Sequence, residues 1–262
     1  MYDPTQAAAA LDEARRTGAE SSLPEAIRPA TLEQGVAVQL ARARNAGAFP
    51  PAGYKIGATT KRMQDYLGLT GPAAGYMEAA NLLPSGTRMP YAALRGPGAE
   101  CEIGLRLARD IPFGPCTQEQ AAAAVGEVFA AIEIVENRYG TPPLGDLARI
   151  GTPTLVADQV YHRAAILSVG PADWRGLDLA AIPGRVAVDG LQRAAGHGRD
   201  LLGHPLAALA WLAGSPTVAA FGGLQAGQVV MLGSVTPPIW LDRPCHVSVA
   251  FDGLGEATVT LT

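Results

Sequence analysis

The chain is short of lysine, cysteine and charge. Only 17% of its 262 residues are charged, Lys55 and Lys61 are the only lysines, and every other side-chain cation apart from histidine is arginine. The three cysteines, Cys101, Cys116 and Cys245, are odd in number and unclustered. That argues against a disulfide framework or a cysteine-based zinc site and fits a reducing compartment. Positive charge is not in excess: the formal net charge is −4, so the electrostatic footprint of a nucleic-acid binder is missing. No apolar run is long enough to span a bilayer, and Met1 to Gln6 lacks the charged and apolar regions of a signal peptide. The expectation is a cytoplasmic protein with no membrane partner. A P-loop and a G-x-S-x-G elbow are absent, and His162, His197, His204 and His246 include no i, i+4 pair, so phosphate cradles, serine hydrolases and zincins of those types are set aside. Gly196-His197-Gly198 starts like a dinucleotide fingerprint but lacks the following glycine and the strand-to-helix setting.

What is present is apolar and heavily punctuated. Hydrophobic residues make up 48%, with 31 glycines and 21 prolines, the composition of a compact, loop-rich protein with a sizeable core. Helices are expected over Thr5–Arg16, with Asp3 as cap, Pro4 at the first turn and Gly18 as stop, and from Thr31 to about Asn45. Further helices are expected from Thr59 or Thr60 to Leu67, from Thr117 to Ala130, and behind Pro205. Short strands are expected at 52–57, near Tyr76 and Arg88, around a hairpin at Gly190, and at Val229–Leu232. A closing hairpin, His246–Phe251 with Ala257–Leu261, is expected around Asp252-Gly253, and Tyr139–Ile150 reads as a loop. Many short strands with few helices define an α+β protein with a mixed or antiparallel β core. The first two helices form a small N-terminal lobe, residues 1–50, ahead of a β-rich core, residues 51–262.

The most informative stretch is Ala99-Glu100-Cys101-Glu102-Ile103-Gly104-Leu105-Arg106-Leu107. It alternates with the period of a half-buried strand, so Glu100 and Glu102 share one face, about 6–7 Å apart, while Cys101, Ile103, Leu105 and Leu107 share the other. A second strand-like run sets Glu133 between Ile132 and Ile134, where a lone ionised carboxylate is costly unless paired, protonated or bound to metal. Two readings follow. Either the glutamates form a solvated face with Arg106 while Glu133 pairs with an arginine, or Glu100, Glu102 and Glu133 bind one divalent cation through hard oxygen ligands. Lys55, in the short strand before Gly57, is likewise either a snorkelling surface residue or a catalytic one.

Several segments in order resemble the fumarylacetoacetate hydrolase superfamily, in its 2-keto-4-pentenoate hydratase and 4-oxalocrotonate decarboxylase branch. They are Gly53-Tyr54-Lys55-Ile56-Gly57-Ala58-Thr59-Thr60-Lys61, Glu100-Cys101-Glu102-Ile103 and Ile132-Glu133-Ile134-Val135-Glu136-Asn137-Arg138. Gly203-His204-Pro205-Leu206 with Ala210-Trp211-Leu212, Leu224-Gln225-Ala226-Gly227 and Gly233-Ser234-Val235-Thr236 follow. The resemblance implies a mixed β-sandwich roll core and Mg²⁺ or Mn²⁺ on Glu100, Glu102 and Glu133. It also implies Lys55 as the catalytic residue, its pKa lowered by burial and the cation, and Arg138, Asp158 and Ser234 as substrate-binding residues. The implied activity is a lyase hydrating a 2-hydroxydienoate or 2-oxo-enoate through an enolate held at the metal. The alternatives are a decarboxylase of a 2-oxo-enedioate and a non-catalytic relative serving as a binding or assembly subunit. The implied partners are a small 2-oxo acid, further copies of the chain in a homo-oligomer, and an enzyme of the same pathway. Acylpyruvate hydrolases of the superfamily fit less well, because their N-terminal histidine has no counterpart before His162. Two departures stand out: Glu136-Asn137-Arg138 replaces Asp-Ser-Arg, and Ala157-Asp158-Gln159-Val160-Tyr161 replaces Ala-Asp-Asn-Ala-Ser. A tyrosine in place of a small serine is expected to reshape the pocket.

Overall fold

The computed structural model describes residues 2–140 and 150–262; residues 141–149 of the expected loop at Tyr139–Ile150 lie outside them. Two sheets carry the core. The larger is built from β1 (Gly53–Gly57), β2 (Ala73–Met77), β3 (Leu82–Pro84), β5 (Pro97–Leu107), β6 (Val125–Glu136), β7 (His162–Leu167) and β10 (Val229–Ser234). Their order is β2-β1-β10-β5-β6-β7-β3, with β11 (Ile239–Trp240) pairing on β5. The smaller sheet runs β4-β13-β12-β8-β9, from β4 (Thr87–Met89), β8 (Pro183–Val188), β9 (Leu191–His197), β12 (Cys245–Phe251) and β13 (Gly255–Leu261). Parallel pairs (β1 with β10, β3 with β7, β4 with β13) interrupt otherwise antiparallel ladders, so both sheets are mixed.

The longest ladder, β5 with β6, runs from Pro97↔Glu136 to Leu107↔Val125. Alternation along both strands sends Cys101, Ile103, Leu105, Ile132 and Ile134 into one buried cluster with Val247, Val249 and Val259 of the smaller sheet. Burying each such aliphatic side chain contributes about 1.5–3 kcal/mol, and the same alternation commits the glutamates to the opposite face. The β-rich expectation therefore holds, and the helix expected over Thr117–Ala130 is corrected. Helix α4 (Gln118–Ala124) starts from a Thr117–Gln120 capping box but stops at Ala124, and β6 begins at Val125. Alanines favour the helix, but pairing Val125, Val128 and Phe129 with β5 buries them in the sheet.

The helices at the N-terminus form as expected: α1 (Pro4–Thr17) is capped by Asp3 and ends at Gly18 with φ 68°, and α2 (Leu32–Asn45) is capped by Thr31. They are tied to the core by one buried carboxylate. Asp158 follows α5 (Thr152–Ala157); helix α3 (Lys61–Leu67) precedes β2, and α6 (Pro205–Ala213) and α7 (Pro216–Phe221) follow β9. Asp158 Oδ1 accepts from Arg15 of α1 at 3.1 Å and Arg42 of α2 at 2.9 Å. Its Oδ2 accepts from Arg138 at 2.7 Å, Tyr139 at 2.8 Å and Ser21 at 3.3 Å. Arg42 also reaches Asp12 at 2.6 Å and Arg138 reaches Glu136 at 2.8 Å. Burial pushes the Asp158 carboxyl up, but the three guanidiniums outweigh it and hold the group far below the usual carboxylate range.

A carboxylate depressed in the folded state stabilises above its unfolded pKa and loses that stabilisation as the pH falls. Asp158→Asn is expected to cost about 3–5 kcal/mol, because it leaves buried guanidiniums uncompensated. Urea titration at neutral pH measures this, and a loss no larger than that of an exposed pair such as Arg16–Glu13 would show that the network does not anchor the N-terminal helices.

Candidate metal centre

Register brings the three glutamates together. Glu100 on β5 stands directly opposite Glu133 on β6, and Glu102 lies two residues further along the same face. One carboxylate oxygen from each lies within 4.8 Å of the others, the span that ligands at about 2.0–2.6 Å occupy around a single ion. Glu102 and Glu133 are fully buried and Glu100 half-buried. Among the described residues no arginine pairs with any of them, and Arg106 instead meets Glu127 at the surface. The solvated-face reading therefore fails.

Each fully buried carboxylate spends one oxygen on the protein and keeps the other. Glu102 Oε2 accepts the Gly233 N–H at 3.0 Å, and Glu102 Oε1 has no hydrogen-bond partner among the described residues. Gly233 sits at φ 98°, and a Cβ there would come within 2.6 Å of the Thr59 methyl, so this contact demands glycine. Glu133 Oε1 takes both His162 Nδ1, at 2.8 Å, and Lys55 Nζ, at 3.3 Å, leaving Oε2 without a partner. Unsatisfied carboxylate oxygens in a buried site are costly, and three hard donors in this arrangement fit Mg²⁺ or Mn²⁺.

Lys55 enters from β1, buried, donating to the Val160 carbonyl at 3.0 Å as well as to Glu133. Burial pushes its pKa down, but Glu133, Glu100 and Glu102 outweigh that and raise it. The lowering expected from sequence combined burial with the charge of a bound cation; of the protein's own groups, the three carboxylates outweigh burial. Burial lowers the His162 pKa despite the Glu133 contact, so the ring is neutral with its proton on Nδ1, facing the carboxylate. Burial and the neighbouring glutamate charges raise Glu100 to about 8 and Glu102 well above its usual value. Burial also pushes Glu133 up, but Lys55 and His162 outweigh it and lower it.

The site opens into a cavity of about 890 Å³ whose lining includes Lys55, Glu100, Ser234, Tyr161 and Trp240. Ser234 accepts from the Cys101 amide at 3.0 Å and from Thr236 N at 3.3 Å. Arg138 and Asp158, expected to touch substrate, are not among the lining residues; both lie in the buried ion-pair network. Tyr161 lines the cavity at the end of a run, Gln159, Val160 and Tyr161, with φ of 61°, 51° and 67°. His162, the Val160 carbonyl and Trp240 were not picked out from sequence. A lone histidine has no spacing signal, and only the pairing of His162 with Val135, two residues beyond Glu133, places it at the three glutamates.

This is a carboxylate-floored, lysine-containing pocket that fits a divalent cation, built on two mixed sheets. The chain is 33% identical over 216 residues to a 2-keto-4-pentenoate hydratase of Burkholderia vietnamiensis, covering 80% of this chain and 78% of that protein. It is 30% identical over 230 residues to a 2-hydroxyhexa-2,4-dienoate hydratase of Comamonas testosteroni, covering 87% and 84%. No family model matches the chain. Among solved structures, the fold resembles 4-oxalocrotonate decarboxylase from Pseudomonas putida G7, complexed with magnesium and adipate, at a TM-score of 0.86 and 22% identity, covering 99% of this chain and 97% of that one. Fumarylpyruvate hydrolase from Pseudomonas aeruginosa, in complex with Mn²⁺ and pyruvate, matches at 0.60 and 18% identity, covering 80% and 88%. The chain belongs to the family of the 2-keto-4-pentenoate and 2-hydroxydienoate hydratases.

Raised carboxyl pKa values give a signed pH dependence. The proton held by Glu100 stabilises the fold below about pH 4.5, its ordinary value, and that contribution is lost as the pH rises through about 8; the raised Glu102 acts in the same direction. A cation needs the ionised forms, so the gain in Tm from Mg²⁺ over EDTA-treated protein should grow between about pH 5 and pH 8. Scanning fluorimetry across that range checks it, and a gain independent of pH would count against these ligands.

Proposed function

We propose that the protein is a divalent-metal-dependent lyase that adds water to a 2-hydroxydienoate, or its 2-oxo-enoate tautomer, to give a 4-hydroxy-2-oxo acid. The observation that carries this reading is the lysine ammonium 3.3 Å from Glu133 in a cluster where Glu102 Oε1 and Glu133 Oε2 are buried with no partner among the described residues. The hydratase names of the relatives support it. Glu100, Glu102 and Glu133 would hold Mg²⁺ or Mn²⁺, which when bound supplies Lewis-acid stabilisation of negative charge developing on the 2-oxo oxygen.

The chain's own residues supply the rest. Lys55, held by the Val160 carbonyl and Glu133, delivers a proton to C5 of the dienol and recovers one from the 2-hydroxyl as the substrate ketonises; water then adds at C4, and the proton it loses is matched by the one gained at C3. His162 fixes Glu133 from the side away from the substrate. Ser234, lining the cavity and braced on the Cys101 backbone, receives the substrate carboxylate. Arg138 and Asp158 support the turn carrying Val160 and Tyr161 rather than touching substrate.

Loss of carbon dioxide from a 2-oxo-enedioate would require a partner for a second carboxylate, and beyond the glutamate and lysine end the cavity lining offers no buried cation: Arg62 is exposed and shares the lining with Asp200. A non-catalytic subunit would have no use for buried, unpaired carboxylate oxygens. The proposal includes a mixed β-sandwich roll as the core, residues 1–50 as a helical lobe on a catalytic core of 51–262, a cytoplasmic location, homo-oligomeric assembly and docking to a pathway enzyme.

Incubation of the Mg²⁺- or Mn²⁺-loaded protein with 2-hydroxypenta-2,4-dienoate should yield a product heavier by one water, read by mass spectrometry. Lys55→Ala should lower turnover by about 10²–10⁴-fold while Mg²⁺ affinity stays the same or tightens, since a neighbouring positive charge is removed. Glu102→Gln should weaken Mg²⁺ binding in calorimetry. Undiminished turnover in Lys55→Ala, or wild-type affinity in Glu102→Gln, removes that residue from the scheme.

A further inference from the structure

The face that carries the glutamates continues past them. Opposite one another, two residues on from Glu100 and Glu133, stand Gly98 and Val135, one strand repeat or about 6–7 Å away. Trp240, on β11, pairs with Gly98, and its ring comes within 2.9 Å of where a Cβ on Gly98 would stand, with Val135 at 3.0 Å from the same point. The absence of a side chain at Gly98 thus lets the indole approach the sheet beside Val135. Tyr161 meets this indole edge to face, with ring centroids 6.5 Å apart and planes at 77°. Leu67 and Met63 of α3 and the side of Val160 also line the cavity. The result is an aromatic and aliphatic wall one strand repeat beyond the cation ligands.

Two features decide what the wall receives. The first is size: at about 890 Å³, the cavity lies toward the upper end of the range that encloses drug-sized ligands, far more than an unsubstituted five-carbon dienoate fills. The second is charge. The charged lining residues beyond the glutamate and lysine end are Arg62 and Asp200, exposed and of opposite sign. The buried guanidiniums of Arg15, Arg42 and Arg138 are all engaged with Asp158. A second substrate carboxylate against this wall would lose its hydration without a buried counter-charge, whereas an apolar group there removes both its own surface and the indole's from water.

Resting on the reading of the site as a 2-oxo acid lyase, we propose that the substrate carries an aryl or comparably large alkyl group at the end remote from its carboxylate, and that Trp240, Tyr161 and Val135 select it. The carboxylate and 2-oxo group lie at the glutamates, the conjugated carbons span one strand repeat, and the apolar end meets the indole.

The test is calorimetric and uses the full-length, Mg²⁺-loaded protein with saturated 2-oxo acids that cannot react: 2-oxobutanoate, 2-oxo-4-phenylbutanoate and the dioate 2-oxoadipate. The phenyl acid is expected to bind about tenfold or more tighter than 2-oxobutanoate, with the dioate no tighter than 2-oxobutanoate. Trp240→Ala should shrink the phenyl-to-butanoate affinity ratio to below about threefold, and Tyr161→Leu serves if that variant does not fold; the wild-type series alone already decides. Equal affinities across the three acids, or tightest binding of the dioate, overturns the proposal. Failure of the parent reading looks different: the tail preference is present, but no 2-hydroxydienoate of any tail gains water. If none of the acids binds the loaded protein, both fall together.

Discussion

Three carboxyl groups crowded onto one face of an antiparallel ladder are the constraint to which the rest of the molecule answers. At an effective dielectric constant near 20, two unit charges about 4 Å apart repel by about 4 kcal/mol, and here three such groups converge within 4.8 Å. The protein supplies one ammonium, Lys55, and one neutral imidazole, His162. Three ionised carboxylates against one lysine leave two negative charges, the amount that one divalent cation neutralises. The imbalance shows in Glu100 and Glu102, whose pKa values rise, while Glu133, alone in touching Lys55 and His162, falls below the ordinary range.

Holding those charges apart from water requires a rigid frame, and the alternation of β5 and β6 provides it. The residues between the glutamates, Cys101, Ile132 and Ile134, are fully buried in the cluster shared with the smaller sheet. A one-residue slip of the ladder would drive every glutamate into that cluster and every isoleucine into the site. Core burial and site geometry are therefore one constraint: the same register that stabilises the fold sets the oxygen-to-oxygen spacing of the ligands.

How much of this could be read from the chain differs from residue to residue. Glu100 and Glu102 were legible because a strand's period fixes their face without knowledge of a neighbour. Glu133 was legible as an expensive carboxylate between isoleucines, and Lys55 through the scarcity of lysine, although the catalytic role proposed for it came from the family resemblance. His162 was not, since its role exists only after β7 pairs with β6. Trp240 was missed for the same reason: its place depends on the absence of a side chain at Gly98 on a strand it joins late in the chain. Helix α4 was overextended because alanine propensity is local, whereas the pairing that converts Val125–Ala130 into strand is not. Arg138 and Asp158 were assigned to substrate because a motif match gives the residue but not the direction of its side chain; in the fold they face each other.

That last placement connects stability with chemistry. Gln159, Val160 and Tyr161 occupy the left-handed region in succession, and for a β-branched valine this is a conformation costing on the order of 1–3 kcal/mol. Such a turn persists only if both its ends are fixed. Before it, Asp158 is held by three guanidiniums and a tyrosine; after it, β7 is hydrogen-bonded to β6; within it, Gln159 donates to the Tyr76 carbonyl at 2.8 Å. The strain is used at two points, because the same three residues turn the Val160 carbonyl onto Lys55 and the Tyr161 ring onto Trp240. The ion pairs that dock the N-terminal helices thus reach the site without touching it: they fix the start of a turn that sets where the lysine sits and how the apolar wall is closed.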